Sequence, residues 1–486
     1  MNNFSMKDVL KKNVMAIALF IIYVIFVLLA LVLKGTNMLD PSVVTSLIEQ
    51  NAYVYILGAG MLMCMLTGGN IDLSVGSFVC FAGGIVGLFS VENDLLNKWF
   101  GVWETQVLEN GEEIQVLIKA ADPLGTPTVL LIAIGIGLLY GALLGFLIAY
   151  VRIPPWIATL AGYLAFRGLG TQVLTKASTT NAISNFPSSL TGIFTGKLFE
   201  TPWGQLNIPC LCLGVLGCAV IVFLSFYSRA NRVKKGYQAE PLWFVLVKNV
   251  IIVGVIMFLT VEFAMDGGIP VVVLWIAAVL IIYGVITEKT TIGRHFMTVG
   301  GNAEASRLSG INNKLIMFVA YLNMAILTVI AALVVTARTG AANAFAGQEF
   351  ELDAIAACIV GGVSAYGGAG TIVGMVVGAT LIGVINQGMS LIGVDQDWIK
   401  IAKGLVLLAA VVFEITSKKS REKASKMAMS APKKDKVTEA EEELKELTES
   451  LDDAVENFDE TFSKEATEGV TDEATEGATD GAPDAQ

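Results

Sequence analysis

Six side chains of this chain place hydrogen-bonding groups inside apolar surroundings: Asn70, Asp72 and Ser74 in the stretch GGNIDLSVGS, Arg167, and the adjacent pair Asn386 and Gln387. Amides, hydroxyls and an occasional charge are what hold a polar solute, or one another, where water is scarce. The combinations needed for making and breaking bonds are missing. There is one histidine, His295, next to Arg294, which argues against a Cys/His metal site. His295 reads as a surface residue. Of the six cysteines, Cys64, Cys80, Cys218 and Cys358 lie within apolar runs, and Cys210 and Cys212 are too close for an ordinary bridge; all read as inert thiols. The run GIFTGK at Gly192–Lys197 is one residue short of a phosphate-binding loop and lacks its hydroxyl. Gly368, Gly370 and Gly374 have the wrong spacing for a nucleotide loop, and no strand is expected before them.

Composition says what must position these groups. The chain has 486 residues, 54% of them hydrophobic and 15% charged, with a mean hydropathy of +0.67; soluble proteins carry about 25% charge. The charge is also unevenly placed. Residues 431–486 contain 19 Asp and Glu against 5 Lys and Arg, a net of −14, so the total of −11 leaves +3 on residues 1–430. The acidic segment from 417 to 486 reads as a disordered cytoplasmic tail, because the repetitive EATEGVTDEATEGATDGA can bury too little apolar surface to offset chain entropy. A short acidic helix could form within Glu439–Asp459.

The remaining body, 1–416, is an all-α integral membrane protein, a polytopic bundle. A bilayer core of about 30 Å needs roughly 20 apolar residues per helix. Apolar runs near 13–33, 50–66, 77–89, 127–151, 156–174, 211–228, 250–265, 269–286, 315–336, 352–363, 371–393 and 398–415 suggest about ten to twelve crossings. The short runs at 77–89 and 352–363 suit half-helices or broken helices, tolerated where protein or a water-filled cavity covers the backbone. The first run is too long for a signal peptide and has no cleavage site after it. Lys7, Lys11 and Lys12, then Arg229, Arg232, Lys234 and Lys235, then Lys289, Arg294, Arg307 and Lys314, and finally Lys418, Lys419, Arg421 and Lys423 fall on one side if the count is even. By the positive-inside rule both termini are then cytoplasmic, and the insert 91–123 and the loop Lys176–Pro209 lie outside.

Four stretches carry most of the information. GGNIDLSVGS reads equally as a broken helix lining a cavity or as a cytoplasmic turn in which Asp72 caps the next helix. IPPWIATLAGYLAFRGLG begins with Pro154 and Pro155, which fix a sharp helix start; its Arg167 either snorkels or faces the interior, where a structural pairing is the plainer reading. The loop 287–314 contains NAEASRLSG, a short amphipathic helix with Asn302 as N-cap and Gly310 as its stop, suited to docking in a groove of a soluble partner. In Glu349–Gly393 a short helix, a Gly-rich break and a longer helix follow one another, with Asn386 and Gln387 as candidate cavity or helix-contact groups. Gly137, Gly141 and Gly145 recur every four residues, as helices in close contact require.

GGNIDLSVGS, IPPWIATLAG with RGLG, TIGRHFMTVGGNAEASRLSGI and FELDAIAACIVGGVSAYGGAGTIVGMVVGATLIGVINQGMSLIGV resemble, in this order, the permease subunits of bacterial ribose, galactose and xylose ATP-binding-cassette importers. The resemblance covers residues 13–415. The extra segment near Val250–Met265 and the outer insert look most like the xylose or multiple-monosaccharide branch. The resemblance implies a homodimer in membrane lipid, two cytoplasmic ATPase subunits that use ATP and magnesium, and an outer sugar-binding protein, with no cofactor on this chain and no nucleic acid. It also implies that Gly300, Gly301, Asn302, Glu304, Ala305, Ser306, Arg307 and Gly310 form the coupling loop that meets the ATPase. Asn70, Asp72, Ser74, Arg167, Asn386 and Gln387 are the translocation-pathway candidates. The insert and the acidic tail are departures from a short family member. Two other readings stay open: a nucleoside permease of the same kind, or an ion-coupled carrier using Glu49, Asp72 or Glu262. An integral-membrane enzyme would need clustered His, Cys or carboxylates, which the sequence lacks.

Overall fold

A computed structural model describes residues 14–107, 113–202, 206–236, 241–430 and 444–450. Lys7, Lys11 and Lys12, the side chains of the basic cluster Lys418–Lys423, and nearly all of the acidic tail lie outside the described residues. The chain divides into two units, Met1–Ile415 and Thr416–Gln486, at the point where apolar composition ends. The described part of the second unit is helical at 444–450, with every side chain exposed, and at the end of the helix Gln396–Ser430.

The first unit starts with α1 (Val14–Lys34), a short α2 (Pro41–Gln50) and α3 (Ala52–Leu66). Then come α4 (Val75–Ser90), α5 (Asp94–Phe100), the hairpin β1 (Val102–Val107) and β2 (Glu113–Lys119), α6 (Thr126–Ala149) and α7 (Pro155–Ala177). A short β3 (Ala182–Ser184), α8 (Ser188–Thr191) and β4 (Lys197–Leu198) lead to α9 (Ile208–Lys234) and α10 (Leu242–Met265). After β5 (Ile269–Pro270) follow α11 (Val271–Lys289), α12 (Thr291–Gly301), α13 (Ala303–Leu308), α14 (Asn313–Thr339), β6 (Ala341–Asn343), α15 (Phe350–Val360), α16 (Ile372–Ile392) and α17 (Gln396–Ser430). The all-α expectation holds, with three small antiparallel ribbons among the described residues: β1 with β2, β3 with β6, and β4 with β5.

A helix that is apolar on every side belongs at the centre, and all 15 residues of α3 are buried. Around it pack α14, α15, α16 and α11. α6 lies along α14 by its glycine ridge: a Cβ at Gly141 would sit 2.7 Å from that of Ala325 and 2.9 Å from the Leu322 backbone. Without a hydrophobic force between helices in lipid, such close contact is what holds them together. At the periphery, Phe20, Leu139, Val250 and Ile281 are among many large apolar side chains left exposed. They suit hydrocarbon, not water.

Among the described residues seven helices, α1, α6, α9, α10, α11, α14 and α16, are long and apolar enough to cross a bilayer, or eight if α4 and α5, bent by 60° to each other, form one span. The other expected crossings fall on α3, α4 and α15, of 15, 16 and 11 residues, and on α7 and α17, which carry charges. α15 alone is roughly 16 Å long at 1.5 Å per residue, as a half-helix would be. The bundle has two distinct ends. The ribbons β3–β6 and β4–β5 tie loops together at one. The breaks 67–74 and 361–371 and the end of α12 meet at the other.

Candidate functional site

At this second end the loop 290–313 folds as its sequence signals direct. The Asn302 side chain accepts from the Ala305 amide at 2.9 Å and starts α13. Gly310, at φ +83°, turns the chain out of it, and its amide bonds to the Arg307 carbonyl. Asn313 Nδ2 donates to the Ala303 carbonyl at 2.7 Å, pinning the helix to the start of α14. Glu304 and Arg307 form an exposed ion pair at 2.6 Å, which raises the Arg307 guanidinium above its ordinary pKa. Leu308 is 76% exposed. Ser306 faces inward and is buried. α13 is thus one turn and a half of helix held at both ends, with an ion pair and a leucine on its surface.

The residues just before α13 are locked to the core. A Cβ at Gly300 would come within 1.9 Å of the Leu66 carbonyl oxygen, 2.7 Å of the Gly368 amide and 2.8 Å of the Gly68 amide. Three glycine-bearing stretches, 68–69, 300–301 and 367–368, therefore meet backbone to backbone. This places the end of α12, which leads into α13, directly against the lower end of α3 and the break that follows it.

In that break Asn70 Nδ2 donates to Thr67 Oγ1 at 3.0 Å. Asp72 and Ser74 are buried. Asp72 Oδ1 accepts from the Ser74 amide at 2.9 Å and from the Ser74 hydroxyl, and that hydroxyl also bonds Tyr140 of α6. Asp72 Oδ2 has no partner among the described residues. The bond to Ser74 makes a turn ahead of α4. Asp72 thus shapes a buried turn ahead of α4, whose N-cap is Ser74 and not Asp72.

The other pathway candidates lie elsewhere. Arg167 reaches inward from α7, where Nη1 donates to the carbonyls of Ala344 at 3.2 Å and Ala346 at 2.9 Å. It braces the segment between β6 and α15, the structural pairing foreseen for it. Asn386 and Gln387 are one residue apart on a helix, about 100° of rotation, and part company: Gln387 is buried, whereas Asn386 lines a cavity. The six candidates do not form one site.

That cavity holds groups that periodicity and spacing did not single out. Asp353 of α15, buried, receives the Tyr53 hydroxyl at 2.6 Å and Lys403 Nζ at 2.9 Å. Glu349 stands 3.7 Å from Lys400 and 3.9 Å from Lys403. A carboxylate within an apolar helix and a lysine on the apolar run after 396 were the available signal, since charges there require partners.

Residues 43–411 match the profile of the family described as branched-chain amino acid transport system / permease component. The xylose transport system permease protein of Haemophilus influenzae is 34% identical over 382 residues, 77% of this chain and 89% of that protein. The ribose import permease protein of Escherichia coli is 28% identical over 369 residues, covering 76% and 84%. The galactose/methyl galactoside import permease protein of Escherichia coli is 26% identical over 392 residues, covering 80% and 92%. No solved structure matches the chain.

Proposed function

The chain belongs to the branched-chain amino acid transport system / permease component family, and on that premise we propose that it is the membrane-spanning subunit of an ATP-driven importer for a monosaccharide, with xylose the first candidate. The family description names amino acids, but the relatives quoted above are named for sugars, and the xylose protein leads them at 34% identity. It is a multi-pass protein, and a bacterial cytoplasmic membrane is its place.

The energy comes from elsewhere. With no phosphate-binding loop in the sequence, ATP and magnesium belong to two separate ATPase subunits. α13 enters their grooves from the membrane side. In this reading loop 287–314 and both termini are cytoplasmic, and the insert 91–123, containing α5 and the β1–β2 hairpin, faces an outer sugar-binding protein. A second copy of the chain completes the pathway.

The observation that carries the proposal is the backbone contact of Gly300 with Leu66 and Gly368. A helix pushed by a partner at α13 has a rigid route to the central helix and to two breaks in the bundle.

The test is recovery of partners with the tagged chain from detergent-solubilised native membrane. A P-loop ATPase that co-purifies with the wild type and is lost with Glu304→Lys supports the reading. The chain recovered alone from several detergents, with sugar uptake that follows an ion gradient, would replace it with the carrier reading.

A further inference from the structure

The polar cavity at the end away from α13 has about 350 Å³ and lies between the starts of α3, α15 and α17 and the second half of α16. Small-ligand pockets run from about 300 to 1,000 Å³. This one therefore has room for a single sugar ring and not for a chain of rings. A second cavity, beside Glu49 and Arg338, has about 180 Å³ and falls below that range.

The lining selects a chemistry. Its charges balance: Glu349 and Asp353 face Lys400 and Lys403 across 2.9–3.9 Å. A charged ligand that broke the Asp353–Lys403 pair, with side chains 3% and 17% exposed, would leave a buried charge unmatched, which is costly. An uncharged ligand leaves the pairs intact and can still hydrogen-bond to them, because each carboxylate has more lone pairs than the bonds it makes. Asn386 lines the cavity as well and brings an amide to it. Gln348 and Ser390 add further donors and acceptors. On one side Phe350 offers a flat apolar face, backed by Tyr53 with ring centroids 3.6 Å apart and 13° between planes. Phe350 follows Glu349, which holds φ +65°, a backbone state that side-chain-bearing residues seldom adopt. That turn sets the carboxylate toward both lysines while the next residue faces the cavity.

We propose that this cavity is a binding station for one uncharged monosaccharide, its C–H face on Phe350 and its hydroxyls on Asn386 and the Asp353–Lys403 pair. The proposal rests on the transport reading above and adds the place where the sugar is held within this chain.

The test uses the full chain purified in lipid nanodiscs and saturation-transfer NMR. Xylose is the probe, with glucuronate (a ring bearing a carboxylate) and maltose (two rings) as comparisons. Saturable binding of xylose is expected, weakened about tenfold or more in Asn386→Leu and Phe350→Ala, as when a site loses the partner of a ligand hydroxyl. Phe350→Leu keeps most of the volume and serves if the alanine variant fails to fold. Lys176→Ala, exposed at the end of α7, should bind as the wild type does. Equal binding by the cavity variants, or glucuronate or maltose binding as tightly as xylose, would overturn the proposal. Uptake of labelled xylose, ribose and galactose by cells expressing the chain with its ATPase and binding protein separates the two readings. Uptake by the wild type without saturable binding removes the cavity and leaves the importer. Neither binding nor uptake of any of the three removes both.

Discussion

The amide of Gly368 donates to the carbonyl of Leu66 at 3.1 Å, and this bond joins the Gly-rich break after α15 to the lower end of α3. Gly300 lies against the same carbonyl. The breaks after α3 and α15 and the end of α12 thus share one backbone junction with no side chain between them. In a close-packed interior such contacts transmit displacement instead of absorbing it. The end of α12, just before α13, therefore touches both α3 and the break after α15.

The junction gives a paired prediction. Gly300→Ala puts a Cβ 1.9 Å from the Leu66 oxygen, and backbone must move to admit it, at about 1–3 kcal/mol. Gly301→Ala next to it meets nothing within 4 Å. Gly300→Ala should lower the unfolding temperature and cut sugar moved per ATP hydrolysed, and Gly301→Ala should do neither. Fluorescence-detected unfolding and a coupled uptake and ATPase assay check both. Equal effects of the two changes would show that the contact does not matter.

Local signals were legible in the sequence and distant meetings were not. Asn302 as N-cap and Gly310 as stop were readable because both act within one helical turn. The tight contact of α6 followed from Gly137, Gly141 and Gly145, but its partner, α14, did not. Gly68 and Gly367 suggest turns and Gly300 falls within α12; nothing in composition or spacing says the three meet. Asp353 and Lys403 were missed for the same reason, since each lies in an apolar run and the reason for its charge is the other. Asn386 and Gln387 were read as a pair because they are adjacent, whereas helical rotation sends one to the cavity and the other into the packing.

At the exposed face of α13, Glu304 and Arg307 are each about two-thirds exposed, so their pairing contributes little to folding. Glu304→Lys should leave the unfolding temperature and membrane level unchanged while abolishing recovery of the ATPase. Glu304→Lys combined with Arg307→Glu restores an ion pair within the helix. If the double change also restores ATPase recovery, the pair itself is what matters. Continued loss would place the role of Glu304 on the partner's surface.

Asp353 and Lys403 have side chains only 3% and 17% exposed. Removing Lys403 leaves Asp353 with only the Tyr53 hydroxyl, typically at about 3–5 kcal/mol, and removing Asp353 leaves Lys403 only the longer contact to Glu349 at 3.9 Å. Asp353→Asn and Lys403→Met should each lower the unfolding temperature clearly. The double variant should lose much less than the sum, because no charge is left unpaired. A double-mutant cycle measured by denaturation in lipid nanodiscs gives the coupling directly, and strict additivity would show that the contact is not energetically significant.

Asp72 separates ATP-driven transport from ion-coupled transport. Its Oδ1 accepts two bonds from Ser74, and an asparagine can present the same oxygen without the charge. An ion-binding carboxylate loses its function when the charge is removed; a turn-forming acceptor does not. Asp72→Asn should therefore retain most sugar uptake, and that uptake should survive an ionophore and stop when ATP is depleted. Asp72→Ala leaves the Ser74 amide without its acceptor at about 1–3 kcal/mol and should reduce both stability and uptake. Abolition of uptake by Asp72→Asn, in a protein that folds and reaches the membrane normally, together with ionophore-sensitive uptake by the wild type, would make Asp72 an ion site and the chain a carrier.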